Sequence, residues 1–132
     1  MKSLTLKKNQ LEEIRDEFFT GSTIEQISME NIGLTSLKSC SMSTITNVSE
    51  ISLGFNNFSS ISNNLFCMAN SDSFSKLLIL NLNNNRIKSL EFLSDQFPNL
   101  KNLNLEWNLI EHLKLADFKG LKKLESLNIN NN

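Results

Sequence analysis

The stretch Leu77-Leu-Ile-Leu80-Asn-Leu82-Asn-Asn-Asn85-Arg-Ile87-Lys-Ser-Leu90 is followed by Leu100-Lys-Asn-Leu103-Asn-Leu105-Glu-Trp-Asn108-Leu-Ile110-Glu-His-Leu113. Sliding one segment onto the other by twenty-three residues superposes the apolar positions and places Asn85 on Asn108. Both read LxxLxLxxNxIxxL. The steps Leu80/Leu82 and Leu103/Leu105 have the period of two that marks a strand with one buried face. The flanking apolar residues then turn the chain and fill the space behind that strand.

The same template runs outward in both directions. Met1, Leu4, Leu6, Asn9, Leu11 and Ile14 fit it, as do Ile24, Ile27, Met29, Leu34 and Leu37, where Ile32 stands in place of Asn. Val48, Ile51, Leu53, Asn56, Phe58 and Ile61 form a third copy, and Leu124, Leu127, Ile129 and Asn132 begin a sixth. The repeats are therefore 1–23, 24–47, 48–76, 77–99, 100–123 and a partial 124–132, together one repeat domain. Steps of 23 to 24 residues, with one of 29, lie in the range of a solenoid repeat carrying an insertion.

This pattern resembles the leucine-rich repeat family over nearly the whole chain. The resemblance implies an α/β repeat fold: a leucine-rich-repeat solenoid with a curved parallel β-sheet on the concave side, and loops and short helical turns on the convex side. Phe19, Met42, Phe66 and Phe118 occupy the nineteenth repeat position, and this is most similar to the typical extracellular subtype. The fourth copy has Asp95 there, with Phe92, Leu93 and Phe97 as its filling residues. The resemblance also gives the repeated Asn a place inside the turn after each strand, where an amide satisfies backbone groups that the turn leaves unpaired. Asn9, Asn56, Asn85, Asn108 and Asn132 form this structural ladder, and Ile32 breaks it, so the second copy is expected to have a less regular turn. The insertion, around 64–76, is expected as a polar convex loop.

Chemistry is hard to draw from these residues. His112 is the one histidine and stands beside Glu111 in an expected turn; Gly21, Gly33, Gly54 and Gly120 are isolated, so no phosphate-cradling loop can be drawn. No metal site, cofactor site or nucleophile triad is supported, and no enzyme is expected. Cys40 and Cys67 fall on the convex side of adjacent repeats, either as packed thiols or as a disulfide. The formal net charge of −1 provides no basic field for nucleic acid, and no apolar run is long enough to span a membrane. The start lacks the apolar stretch of a secretory signal. Two sequons, Asn47-Val-Ser49 and Asn57-Phe-Ser59, are compatible with secretion.

The alternation along each strand sends the third, fifth and seventh positions to the concave side, with the eighth at its rim. That face is mostly small, polar and neutral, and Phe55, Ile79 and Trp107 depart from it. The candidate partner-binding residues are Phe55, Ile79, Asn81, Asn83, Asn104, Glu106 and Trp107; the two aromatics either form a contact patch or fold back as packing. The first template position is Met1 and the last residue is a template Asn, so both solenoid ends are expected to need flanking sequence or a partner. The resemblance implies non-catalytic protein recognition, as part of an extracellular or secreted receptor or innate-immune-type protein. The alternative is an intracellular scaffold or regulatory subunit that docks on an enzyme. A third is the targeting segment of a longer catalytic protein. Extracellular placement is slightly favoured over cytoplasmic.

Overall fold

The computed structural model describes residues 1–11, 14, 16–37, 42, 44–61, 74–91 and 96–132. Six short strands form one parallel sheet in sequence order: β1 (Ser3–Thr5), β2 (Gln26–Ser28), β3 (Glu50–Ser52), β4 (Ile79–Asn81), β5 (Asn102–Asn104) and β6 (Ser126–Asn128). Each contributes three residues whose middle one is the apolar fourth position of the template. Ile27, Ile51, Leu80 and Leu103 are at most 2% exposed, whereas Leu127 on the outer strand is 38% exposed. The register is constant, so Leu4, Ile27, Ile51, Leu80, Leu103 and Leu127 stand side by side.

The sixth template position continues the pairing beyond each strand. Leu6, Met29, Leu53, Leu82 and Leu105 each donate their backbone N–H to the fifth-position carbonyl of the next repeat at 2.8 Å. The longer step of the third copy leaves this intact, because Glu50 still pairs with Ile79. Residues 62–73 of the insertion, Cys40, Cys67, Phe66 and 92–95 lie outside the described residues. The solenoid is thus specified at its strands and tolerant between them.

Behind the sheet the template residues form one core, from Ile14 and Ile24 through Val48, Leu77 and Leu100 to Leu121. The convex side carries two 3-10 turns, Asp16–Phe19 and Leu115–Phe118. The second is opened by the buried Asp117, whose Oδ2 accepts the Lys114 N–H at 2.9 Å. Phe19 and Met42 are fully buried, and Phe118 is partly buried. A further core row escapes the repeat count taken from each strand. Ile45, Phe74, Phe97 and Leu121 each lie three residues before the next repeat and are at most 6% exposed. Phe74 and Phe97 meet as tilted rings with centroids 5.9 Å apart.

Candidate recognition face

The turn after each strand has one shape. Lys8, Asn31, Phe55, Asn84, Trp107 and Asn131, the eighth residue of each copy, all have φ between 52° and 57°. The first five donate their N–H to the seventh-position carbonyl of the next repeat, at 2.8–3.2 Å. The second copy shares this geometry through Asn31; what sets it apart is Gly33, two residues on, at φ 80°. The expected irregularity is therefore confined to that glycine, which enters the left-handed region without the clash a Cβ would bring.

Asn at the ninth position joins neighbouring repeats. Asn85 Nδ2 lies 3.0 Å from the carbonyls of Leu82 and Leu53, and its Oδ1 accepts the Phe58 N–H at 3.1 Å. Asn108 does the same for Leu105, Leu82 and Ile87. Asn132 reaches Ile129, Leu105 and Ile110. Asn56 serves Leu53 and Met29, and its Oδ1 accepts both Ile32 and Leu34 N–H at 3.2 and 3.1 Å. Asn9 has only its own turn, bonding the Leu6 carbonyl at 3.1 Å in an exposed setting.

On the concave side, Ile79, Asn81 and Asn104 line one open trough of about 340 Å³ together with Glu50, Ser52, Asn102 and Asn128. The amides here are oriented by the chain itself. Asn81, Asn104 and Asn128 each turn Oδ1 onto the N–H two residues ahead, at 3.2, 3.0 and 3.1 Å. An amide fixed through its oxygen points its NH₂ away from the turn. Asn128 gives its NH₂ to Glu106 Oε2 at 3.2 Å, and Asn131 gives its own to Oε1 at 3.3 Å. Asn81 and Asn104, paired in register on neighbouring strands, keep their Nδ2 without a partner among the described residues. Gly54 makes room for Asn83, since a Cβ there would overlap the Asn83 Oδ1 and lie 3.3 Å from its carbonyl oxygen.

The remaining candidates sit elsewhere. Phe55 and Trp107 stand on the rim, outside the trough, 54% and 56% exposed. The residue between them along that rim is Asn84, while Ile79 begins β4 at the far end of its strand. Packing covers less than half of either aromatic, yet each holds a left-handed backbone that costs a residue with a Cβ about 1–2 kcal/mol. Asn, which tolerates that conformation, fills the same position at 31, 84 and 131. Sequence reading missed the oxygen-anchored amides and the strain at the rim. The Asn at 31, 84 and 131 was the available signal for the latter.

No family model matches the chain. Chaoptin of Drosophila melanogaster, a leucine-rich-repeat protein, is 28% identical to it over 131 residues. The parallel solenoid and this likeness are consistent with the leucine-rich-repeat family. The match covers 97% of this chain, which spans 9% of the length of chaoptin. A leucine-rich-repeat-like solenoid of this kind is consistent with a protein-interaction module. Among the described residues, no group of three His, Cys, Asp or Glu side chains could hold a metal ion, and no helix is long and apolar enough to cross a membrane. His112 and Glu111 are exposed. Of the two sequons, Asn57 is exposed, whereas Asn47 Oδ1 accepts Lys76 Nζ at 2.6 Å.

Proposed function

We propose that this chain is a non-catalytic recognition module of an extracellular or secreted leucine-rich-repeat receptor or innate-immune-type protein, and that it binds a protein partner through its concave face. The observation that carries the reading is the concave trough itself. Six strands in constant register present a mostly neutral surface on which Asn81 and Asn104 are anchored through their oxygens, with their NH₂ groups left over. Donors oriented before contact lose little entropy on binding, and that is what a recognition surface requires. The likeness to chaoptin, an extracellular leucine-rich-repeat protein, supports the compartment, and the exposed sequon at Asn57 is compatible with it. An intracellular scaffold that docks on an enzyme is the second reading; the convex side offers exposed Leu113 and Leu115 to such a dock.

The test is capture of partners by the immobilised chain in three forms: parent, Asn81→Arg with Asn104→Arg, and Lys119→Glu with Leu115→Glu. Two arginines should abolish capture by placing bulk and unpaired charge in the trough, a loss of about 100-fold or more for a central contact. The convex pair should leave it unchanged. Capture that survives the arginines and fails with the convex pair would transfer the site to the other side.

A further inference from the structure

We infer that Asn57 is an N-glycosylation site and that Phe55 is the surface on which its first sugar packs. The inference rests on the extracellular reading above, because the oligosaccharide donor is met along the secretory route. The fold treats the two sequons differently. Asn57 and Ser59 are both exposed, and neither side chain makes a hydrogen bond among the described residues. In Asn47-Val-Ser49 both groups are engaged and partly buried: Asn47 Oδ1 accepts Lys76 Nζ at 2.6 Å, and Ser49 Oγ donates to the Glu25 carbonyl at 3.1 Å. Only Asn57 stands free to carry bulk, which is what a glycan on a folded chain requires.

The chain around Asn57 alternates. Phe55, Asn57 and Ser59 are exposed, while Asn56 and Phe58 between them are 6% and 1% exposed. Asn56 is held from inside through Leu53 and Met29, and Phe58 lies in the core, so the acceptor is fixed on both sides. Two residues span at most about 7 Å of chain, so a sugar on Asn57 starts within reach of the Phe55 ring. A pyranose offers a face of C–H groups, and an aromatic face carries the negative part of the ring quadrupole that attracts them. Trp107 holds the same rim position, but Leu109 stands two residues on and can take no sugar. The sequon, rather than the shared turn, is therefore what selects the occupant of Phe55. In the transfer, Asn57 Nδ2 attacks C1 of a polyprenyl-diphosphate-linked oligosaccharide. The N–C1 bond forms, the C1–O bond breaks, the diphosphate leaves with the electron pair, and the amide gives up one proton. Asn57 does not line the concave trough, so the glycan leaves that face open.

The test is to make the chain behind a cleavable secretory leader in eukaryotic cells and read its mass before and after peptide-N-glycosidase. The enzyme should remove one oligosaccharide unit, which Asn47→Gln keeps and which Asn57→Gln and Ser59→Ala each lack. Ser59→Ala retains the asparagine, so its loss of the unit reports the sequon itself. A chain without the unit, or a unit that stays on Asn57→Gln, overturns the site. Trimming the glycan to a single sugar then tests Phe55. The trimmed chain should have a higher urea midpoint than the unmodified chain made in bacteria, and Phe55→Ala should remove that difference. Equal midpoints in the parent, or a difference that Phe55→Ala keeps, overturn the role of the ring. Because the leader fixes the compartment, an unmodified chain strikes the site and leaves the recognition reading to the capture test. A native protein that glycosidase leaves unchanged, beside a modified leader-directed chain, overturns the extracellular reading instead.

Discussion

The turns after β2 and β4 hold the same left-handed residue, Asn31 at φ 53° and Asn84 at φ 52°, yet the next residue is Ile32 in one and Asn85 in the other. The difference separates two roles that the repeat pattern merges. Backbone shape follows from the bond to the next repeat, which Asn31 makes to the Gly54 carbonyl and Asn84 to that of Glu106. Asn85 adds a polar link backward to the preceding repeat, through Leu53 and Phe58. Ile32 is buried but supplies no such link, so the first repeat is joined to the second by backbone bonds, apolar contact and ion pairs such as the partly exposed Lys7–Glu30 at 2.9 Å. In a solenoid, stability is a sum of repeat and interface terms, and the first interface lacks a term that the later ones have.

The largest test of this contrast is Asn85→Ala. Its carbonyl partners would keep second donors, since Leu53 also receives Asn56 and Leu82 receives Asn108. The Phe58 N–H would be orphaned in a buried setting. One orphaned donor together with the lost bonds gives an expected destabilisation of about 3 kcal/mol, read from the urea midpoint. Asn9→Ala, at an exposed turn, should cost no more than about 0.5 kcal/mol. Equal shifts in the two variants would show that the amides do not couple repeats.

The period-two steps made the strands legible, and parallel pairing then followed, because each repeat returns to the same template position. The outward strand residues were legible for the same reason: Ile79, Asn81 and Asn104 do line one trough. Phe74 was not assigned to the core from sequence, because positions were counted forward from each strand. Its packing is set by distance back from the next one, which the insertion does not alter. The rim conformation was hidden at Phe55 and Trp107, since aromatic residues carry no turn signal of their own. It can be inferred only from what stands at 31, 84 and 131.

A smaller effect of opposite sign should come from Ile32→Asn. By analogy with Asn85, the new amide would reach the carbonyls of Leu6, Met29 and Glu30 and accept the N–H of Leu11. Those bonds must exceed the burial that Ile32 gives up, which is worth about 1.5–3 kcal/mol. The three carbonyls already accept Asn9, Asn56 and Lys8, so the variant pairs the Leu11 N–H and gives those carbonyls second donors; at about 1 kcal/mol for each of the four bonds, the net gain is about 1 kcal/mol. A lowered melting temperature would mean that apolar packing, rather than the amide, is what the first interface uses best.

The smallest change concerns the two aromatics in the same row as Asn31 and Asn84. Trp107→Asn removes a bulky side chain from a left-handed backbone, and Phe55→Asn does likewise. Relief of about 1–2 kcal/mol is offset in part by the ring surface that packing now covers, so each variant should gain about 0.5–1 kcal/mol in urea unfolding. Loss of stability instead would make the rings packing residues, with their exposed edges incidental. A gain would mean that the rim holds aromatics at the expense of the fold. This is the trade expected where a binding site takes residues that the backbone does not favour.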